Sequence, residues 1–364
     1  MGTRLHIQPL GEWIRIDQQP LVISGPCSAE SEEQVIRTAR DIARIPQVRI
    51  FRAGIWKPRT RPGSFEGVGV QGLQWLKRVK EETGLLTAVE VANPTHIREA
   101  LKYDVDILWI GARTVVNPFS LQDLAMELRG VDVPVMVKNP VNPDLELWVG
   151  ALERFNLAGI TKLAAVHRGF YFFDRTPYRN APMWEIPIEL KRRYPQLPVI
   201  CDPSHICGER TMLFETAQKA LDLDMDGIML ESHVDPDNAL TDPQQQVTPD
   251  MLGHIVGSLQ VRKEKGSIEF ETRLEELRSE IDKIDAELLH ILSRRMDVVD
   301  EIGKYKKENN ITILQLKRWS TILRDRLKTG VNLGFSKEFL QQLLETVHTE
   351  SIRRQTEIFN KKEK

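Results

Sequence analysis

Leu21-Val22-Ile23-Ser24-Gly25-Pro26-Cys27-Ser28 passes from an apolar run, short enough for one strand, into a tight turn carrying a thiol. The rest of the chain repeats that grammar. Val48-Arg49-Ile50-Phe51 leads to Arg52 and then Lys57-Pro58-Arg59-Thr60, Leu85-Leu86-Thr87-Ala88-Val89 to Glu90, and Ile107-Leu108-Trp109-Ile110 to Gly111-Ala112-Arg113-Thr114. Val133-Pro134-Val135-Met136-Val137 ends at Lys138-Asn139, and Leu163-Ala164-Ala165-Val166 at His167-Arg168-Gly169. Val199-Ile200-Cys201 ends at Asp202-Pro203-Ser204-His205, and Ile228-Met229-Leu230 at Glu231-Ser232-His233. Eight runs, each closed by reactive or charged residues, predict an α/β fold, a (β/α)₈ TIM barrel whose strand ends converge on one catalytic mouth.

Helical periodicity fills the intervals: 32–44, 69–82, 95–102, 120–129, 143–156, 183–194, 208–221 and 248–263. Ser31 and Ser120 stand where N-caps belong. Strand and helix alternating eight times favours closure over an open doubly wound sheet. The chain contains neither a GxGxxG after the first strand nor a GxxxxGK[ST], which argues against dinucleotide and P-loop sites.

Proline marks a boundary. All 20 prolines lie at or before Pro249, and charge density rises sharply beyond Glu271. That composition predicts a barrel over 1–262, a linker over 263–269 and an all-helical domain over 270–364. With 50 basic and 52 acidic residues, the chain has no charge excess that would select nucleic acid or a membrane surface. No apolar stretch is long enough to span a bilayer, and three cysteines make no disulfide framework, so a cytoplasmic location is expected.

Cys27, His205, Glu231 and Asp242 come from different predicted strand ends. A thiolate, an imidazole and two carboxylates suit a divalent transition ion such as Mn²⁺, Fe²⁺, Co²⁺ or Zn²⁺. Cys201 reads as core and Cys207 as a bystander. Arg52, Lys57, Arg59, Arg113, Lys138 and Arg168 crowd the same face with cations, which predicts anionic, phosphorylated substrates.

These motifs resemble those of 3-deoxy-D-arabino-heptulosonate-7-phosphate (DAHP) synthases, in their compact variant, over essentially residues 1–262. The resemblance implies condensation of phosphoenolpyruvate with erythrose 4-phosphate. It also implies roles: Cys27, His205, Glu231 and Asp242 as metal ligands, and Arg113, Lys138 and Arg168 on the phosphoenolpyruvate phosphate. Arg52 and Lys57 would serve its carboxylate and the reacting aldehyde, with Lys57 as proton donor. Arg59 and Thr60 would hold the aldehyde's phosphate, and Glu90 with Lys138 a water. A related synthase that takes arabinose 5-phosphate is the alternative.

In the tail, Phe270, Leu274, Leu277, Ile281, Ile284, Leu288, Ile291, Val298, Ile302 and Tyr305 form a 3/4-spaced stripe. It predicts a helix over 267–308, roughly 60 Å long at 1.5 Å per residue. Two shorter helices, 316–328 and 336–360, would follow, separated by Gly330 and Gly334. One overlong helix predicts a homodimer.

The tail resembles the all-helical chorismate mutases, through Leu277-Arg278, Ile281-Asp282, Ile284-Asp285, Arg295, Gly303-Lys304-Tyr305-Lys306, Arg318 and Ser351 with Gln355. That resemblance implies rearrangement of chorismate to prephenate. Arg278 (from the partner chain), Arg295 and Arg318 would bind carboxylates, Lys306 and Gln355 the ether oxygen, and Ser351 would line the site. The family often has Arg-Glu where this chain has Arg318-Trp319, and an acidic residue where it has Gln315, which alters the contacts open to the substrate's ring hydroxyl. A non-catalytic dimerisation module is the alternative. Feedback on the synthase by prephenate is a further expectation.

Overall fold

The computed structural model describes residues 4–57, 63–173, 176–263 and 266–361. They divide into two units, Met1–Arg262 and Lys263–Lys364. In the first, β1 (Leu21–Gly25), β2 (Val48–Arg52), β3 (Leu86–Val91), β4 (Ile107–Ile110), β5 (Val135–Lys138), β6 (Leu163–His167), β7 (Val199–Cys201) and β8 (Gly227–Glu231) close in sequence order. Every pairing is parallel, and β1 meets β8 with Leu21 opposite Gly227 and Gly25 opposite Glu231.

The strands are connected by α1 (Glu32–Ile42), α2 (Gln71–Thr83), α3 (Pro94–Lys102), α4 (Ala112–Val115), α5 (Pro118–Glu127), α6 (Leu145–Leu157) and α7 (Glu185–Arg193). After β7 come α8 (Pro203–Cys207) and α9 (Leu213–Asp222), and α10 (Pro249–Ser258) follows β8. Ser31 caps α1 as expected. Ser120 is not a cap: Asn117 accepts from the Phe119 and Ser120 N–H groups, and Pro118 starts α5 one turn earlier. The one-turn helices α4 and α8 are too short to show periodicity in sequence.

Strand parity sorts the side chains. Val22, Phe51, Val89, Leu108, Val137, Ala165, Cys201 and Leu230 face the surrounding helices. Leu21, Ile23, Ile50, Ala88, Trp109, Met136, Val166, Ile200 and Met229 fill the barrel, joined at its N-terminal end by Ile14. Because alternate residues point inward, the next inward positions at the C-terminal end are Arg52, Glu90, Lys138 and Glu231. The apolar interior therefore ends in a charged layer.

The second unit holds α11 (Ile268–Glu308), α12 (Leu316–Asn332) and α13 (Lys337–Asn360). Ser267 and Ser336 cap α11 and α13. Gly330 does not separate helices; it lies inside α12, where a Cβ would meet Leu340 Cδ1 at 2.5 Å. Gly334, at φ +93°, makes the turn. Along α11 only Val299 and Gly303 are buried, whereas Leu277, Ile281, Ile284, Leu288 and Ile291 stay exposed.

Candidate active sites

At the barrel mouth the chain needs room before it needs charge. A Cβ on Gly54 would meet Cys27 O at 2.4 Å and Lys57 Nζ at 2.7 Å; one on Gly111 would meet Glu90 Oε1 at 2.1 Å. Both glycines let the Lys57 and Glu90 side chains lie against backbone.

Lys57 Nζ donates to Cys27 Sγ at 3.1 Å, and Cys27 Sγ lies 3.3 Å from Asp242 Oδ2. Arg52 is 2% exposed and donates to Glu231 Oε1 at 2.8 Å and to Cys27 O at 3.3 Å, with its guanidinium over the Trp109 ring. Lys138 Nζ donates to Asp202 Oδ2 at 2.9 Å. The same oxygen is 2.8 Å from His205 Nδ1, while His205 Nε2 faces Glu231 Oε1 at 3.8 Å. Glu90 accepts from Trp109 Nε1, and Arg168 donates to Asn180 Oδ1 at 2.7 Å. Arg113 sits on α4 and is exposed. Arg59 and Thr60 lie outside the described residues.

The four expected metal ligands stand as two pairs, Cys27 with Asp242 and His205 with Glu231. Among the described residues no group of three or more His, Cys, Asp or Glu side chains is arranged as a ready metal cage. Glu231 is engaged by Arg52 and Gln245, and Asp242 by Arg179. The donor chemistry nevertheless fits a transition ion. Burial holds His205 below its ordinary pKa, against the pull of Asp202 and Glu231. Burial opposes ionisation of Glu231 and Asp242 but is outweighed, by His205 and Arg52 for Glu231 and by Arg179 and His205 for Asp242. Glu231 titrates below its ordinary value and Asp242 at about 2. Burial, reinforced by Glu231, pushes the Cys27 thiol up to about 12, so it becomes a thiolate only beside an added positive charge. Cys201 and Cys207 are buried away from this set, with Cys207 Sγ beside Thr216 Oγ1.

Arg179, Gln245 and Gln246 are site residues that the sequence did not single out, and Asp202, part of the strand-end motif after β7, was given no role there. Gln245 joins Glu231 to Arg179, and Gln246 accepts the Cys27 N–H. Asp202 alone had a visible cue, since it follows β7 at the inward parity.

In the helical unit, α11 and α13 bring part of the second constellation together. Arg295 donates to Ser351 Oγ at 2.7 Å, and Gln355 Nε2 reaches Ser351 O at 3.3 Å. Ser351 and Gln355 are buried, and Gln355 Oε1 has no partner. Lys306 donates to Ile313 O, and burial lowers its pKa. His348, unnoticed in sequence, stacks on Trp319 at 3.8 Å, and burial with Arg295 and Lys306 keeps it neutral. Arg278 and Arg318 are exposed, Arg278 lying 3.7 Å from Glu275.

A closed parallel barrel with buried cations, carboxylates and a thiol at its C-terminal mouth has the make-up of a TIM-barrel enzyme. Residues 11–265 match the DAHP synthetase I family, and residues 277–356 match chorismate mutase type II. The chain belongs to the DAHP synthetase I family and carries a chorismate mutase domain that follows the barrel in sequence. It is similar to the phospho-2-dehydro-3-deoxyheptonate aldolase of Thermotoga maritima, 30% identical over 65% of this chain and 67% of that one. A crystal structure of the T. maritima enzyme shares 28% identity at TM-score 0.59, covering 65% of this chain and 66% of the other. The 2-dehydro-3-deoxyphosphooctonate aldolase of Desulfotalea psychrophila is 28% identical over 69% of this chain and 93% of its own.

Proposed function

We propose that the barrel condenses phosphoenolpyruvate with erythrose 4-phosphate, and that the helical domain rearranges chorismate to prephenate. The observation that carries the first activity is the charged layer closing the barrel, with Lys57 on Cys27 at 3.1 Å. Lys138 and Arg168 offer the phosphate of phosphoenolpyruvate two cations; burial lowers Arg168 only to about 10, so it stays charged at neutral pH. Arg113, exposed at the rim, would complete the grip. Arg52 presents a preorganised guanidinium to the carboxylate. Held this way, C3 of the enol faces an aldehyde bound toward Lys57, and proximity supplies much of the rate. As the C–C bond forms, the aldehyde oxygen gains charge and Lys57 delivers a proton to it. Glu90 and Lys138 orient a water that adds to C2, and phosphate departs from the tetrahedral carbon.

Cys27, His205, Glu231 and Asp242 would hold a divalent transition ion, which when bound polarises the aldehyde carbonyl. The residues matching the aldehyde-phosphate contacts lie outside the described segment, so erythrose 4-phosphate and arabinose 5-phosphate are separated by assay. The full-length protein should consume phosphoenolpyruvate only with the four-carbon aldehyde. Activity should vanish with EDTA and return with Mn²⁺, while chorismate turnover is untouched. Full synthase activity in metal-stripped protein would defeat the metal assignment.

For the helical domain, Arg295, Ser351 and Gln355 form one polar cluster, and Lys306 lies further along α11 with its ammonium on Ile313 O. Such a cluster can hold a dicarboxylate and stabilise charge growing on an ether oxygen, without covalent chemistry. A second copy of the chain would cover the exposed stripe of α11 and bring Arg278 to its partner's site. Prephenate bound there would inhibit the synthase, the two ligands weakening each other reciprocally.

A further inference from the structure

His348 Nε2 and Gln355 Oε1 are buried on one face of α13, and neither has a hydrogen-bond partner. Ser351 stands between them, about one turn from each, and accepts from Arg295 at 2.7 Å. A buried polar atom left unbonded costs free energy. Here two of them flank the residue that Arg295 holds, which marks this face as one completed by a ligand.

The His348 imidazole lies flat against the Trp319 indole of α12, with centroids 3.8 Å apart and planes 7° from parallel. Stacking uses the face of the ring, whereas its nitrogens bond in the ring plane, so the edge stays open to a partner. Burial, with Arg295 and Lys306 on α11, disfavours the charged form. A neutral imidazole nitrogen either donates or accepts, and a hydroxyl can answer both. Chorismate offers two carboxylates, an ether oxygen and a ring hydroxyl. The arginines suit the carboxylates, Lys306 and Gln355 the ether oxygen, and the hydroxyl is left. We propose that His348 binds the ring hydroxyl of the mutase substrate through Nε2, with Trp319 as the plate that holds the imidazole in place. This rests on the mutase reading above.

Full-length protein is assayed with chorismate, and with an analogue lacking the ring hydroxyl as competitive inhibitor. His348→Phe keeps a flat ring on Trp319 and removes the nitrogen. His348→Gln gives up the stack but carries an amide that can reach the place of Nε2. His348→Phe should raise KM for chorismate about 3- to 10-fold, the effect of one neutral hydrogen bond, and leave the analogue's Ki within about twofold. His348→Gln should recover most of the loss in KM. Both constants are independent of the fraction folded, so partial unfolding does not imitate the result. Equal weakening of both ligands by His348→Phe would mark a packing role and overturn the proposal. A KM within about twofold of wild type would also overturn it, as would a glutamine variant no better than phenylalanine. If neither variant folds, wild type still decides: the analogue should bind more weakly than chorismate, and equal affinity would overturn the contact. Wild type that turns over no chorismate would instead sink the mutase reading, and this proposal with it.

Discussion

Removing the guanidinium of Arg52 should cost the barrel more stability than catalysis alone would reveal. Arg52 and Glu231 are 2% and 0% exposed and meet at 2.8 Å, with Trp109 and the Cys27 carbonyl completing the cation's surroundings. Taking away one partner of a buried pair leaves an uncompensated charge and costs about 3–5 kcal/mol. For a domain of this size each kcal/mol moves the midpoint by roughly 2–4 °C, so Arg52→Met should lower the barrel's Tm by about 6–20 °C in metal-free protein.

Glu231 has one escape, which gives the prediction its sign. Without Arg52, burial raises its folded pKa above the unfolded value of about 4.3. The folded state then binds a proton more readily than the unfolded state, so the variant's stability falls as pH rises through that raised pKa. The loss should therefore be larger at pH 8 than at pH 5.5. Mn²⁺ should restore more stability to Arg52→Met than to wild type, since it replaces a missing positive charge. Arg52→Met combined with Glu231→Gln should be milder than the single change. Calorimetry of EDTA-treated full-length protein reads all of this in the barrel transition. A single-variant Tm within about 2 °C of wild type at pH 7.5, with no pH trend, would refute the reasoning.

His167 is buried against Phe170 and Trp184, and burial aided by Arg168 drops its pKa to about 3. The unfolded chain takes a proton near pH 6.5 that the folded barrel refuses, so stability should fall as pH drops from there toward 3. His167→Leu should flatten that slope by up to about 1.4 kcal/mol per pH unit between pH 6 and 4, measured by urea unfolding. In the helical domain, Arg278→Ala and Arg318→Ala proteins refolded together should regain part of the mutase activity; none, with mixed dimers verified, would place each site within one chain. Prephenate should inhibit the synthase at concentrations that fill the mutase site, and Arg318→Ala should relieve it; unchanged synthase kinetics would leave the mutase a fused catalyst only.

What was legible in the sequence is what a strand's parity and a helix's period can encode. Arg52, Glu90, Lys138 and Glu231 stand at the inward positions that continue the interior stripes of β2, β3, β5 and β8, so their convergence followed from the apolar pattern beneath them. The stripe of α11 was likewise readable, because one face repeats over many turns. Pairing across loops has no such local trace. Gln245 reaches Glu231 and Arg179 from the segment after β8, and nothing in the spacing of those residues distinguishes it from the neighbouring Gln244. Gly330 was misread because a glycine late in a helix marks either an end or a close crossing, and only Leu340 against it decides for the crossing. His348 and Trp319 show the same thing in the tail: they sit on different helices and become a stacked pair only once α12 packs on α13. The sequence thus specified where charge would gather, while pairs such as Arg52 with Glu231 and Lys138 with Asp202 were made by partners tens to hundreds of residues away.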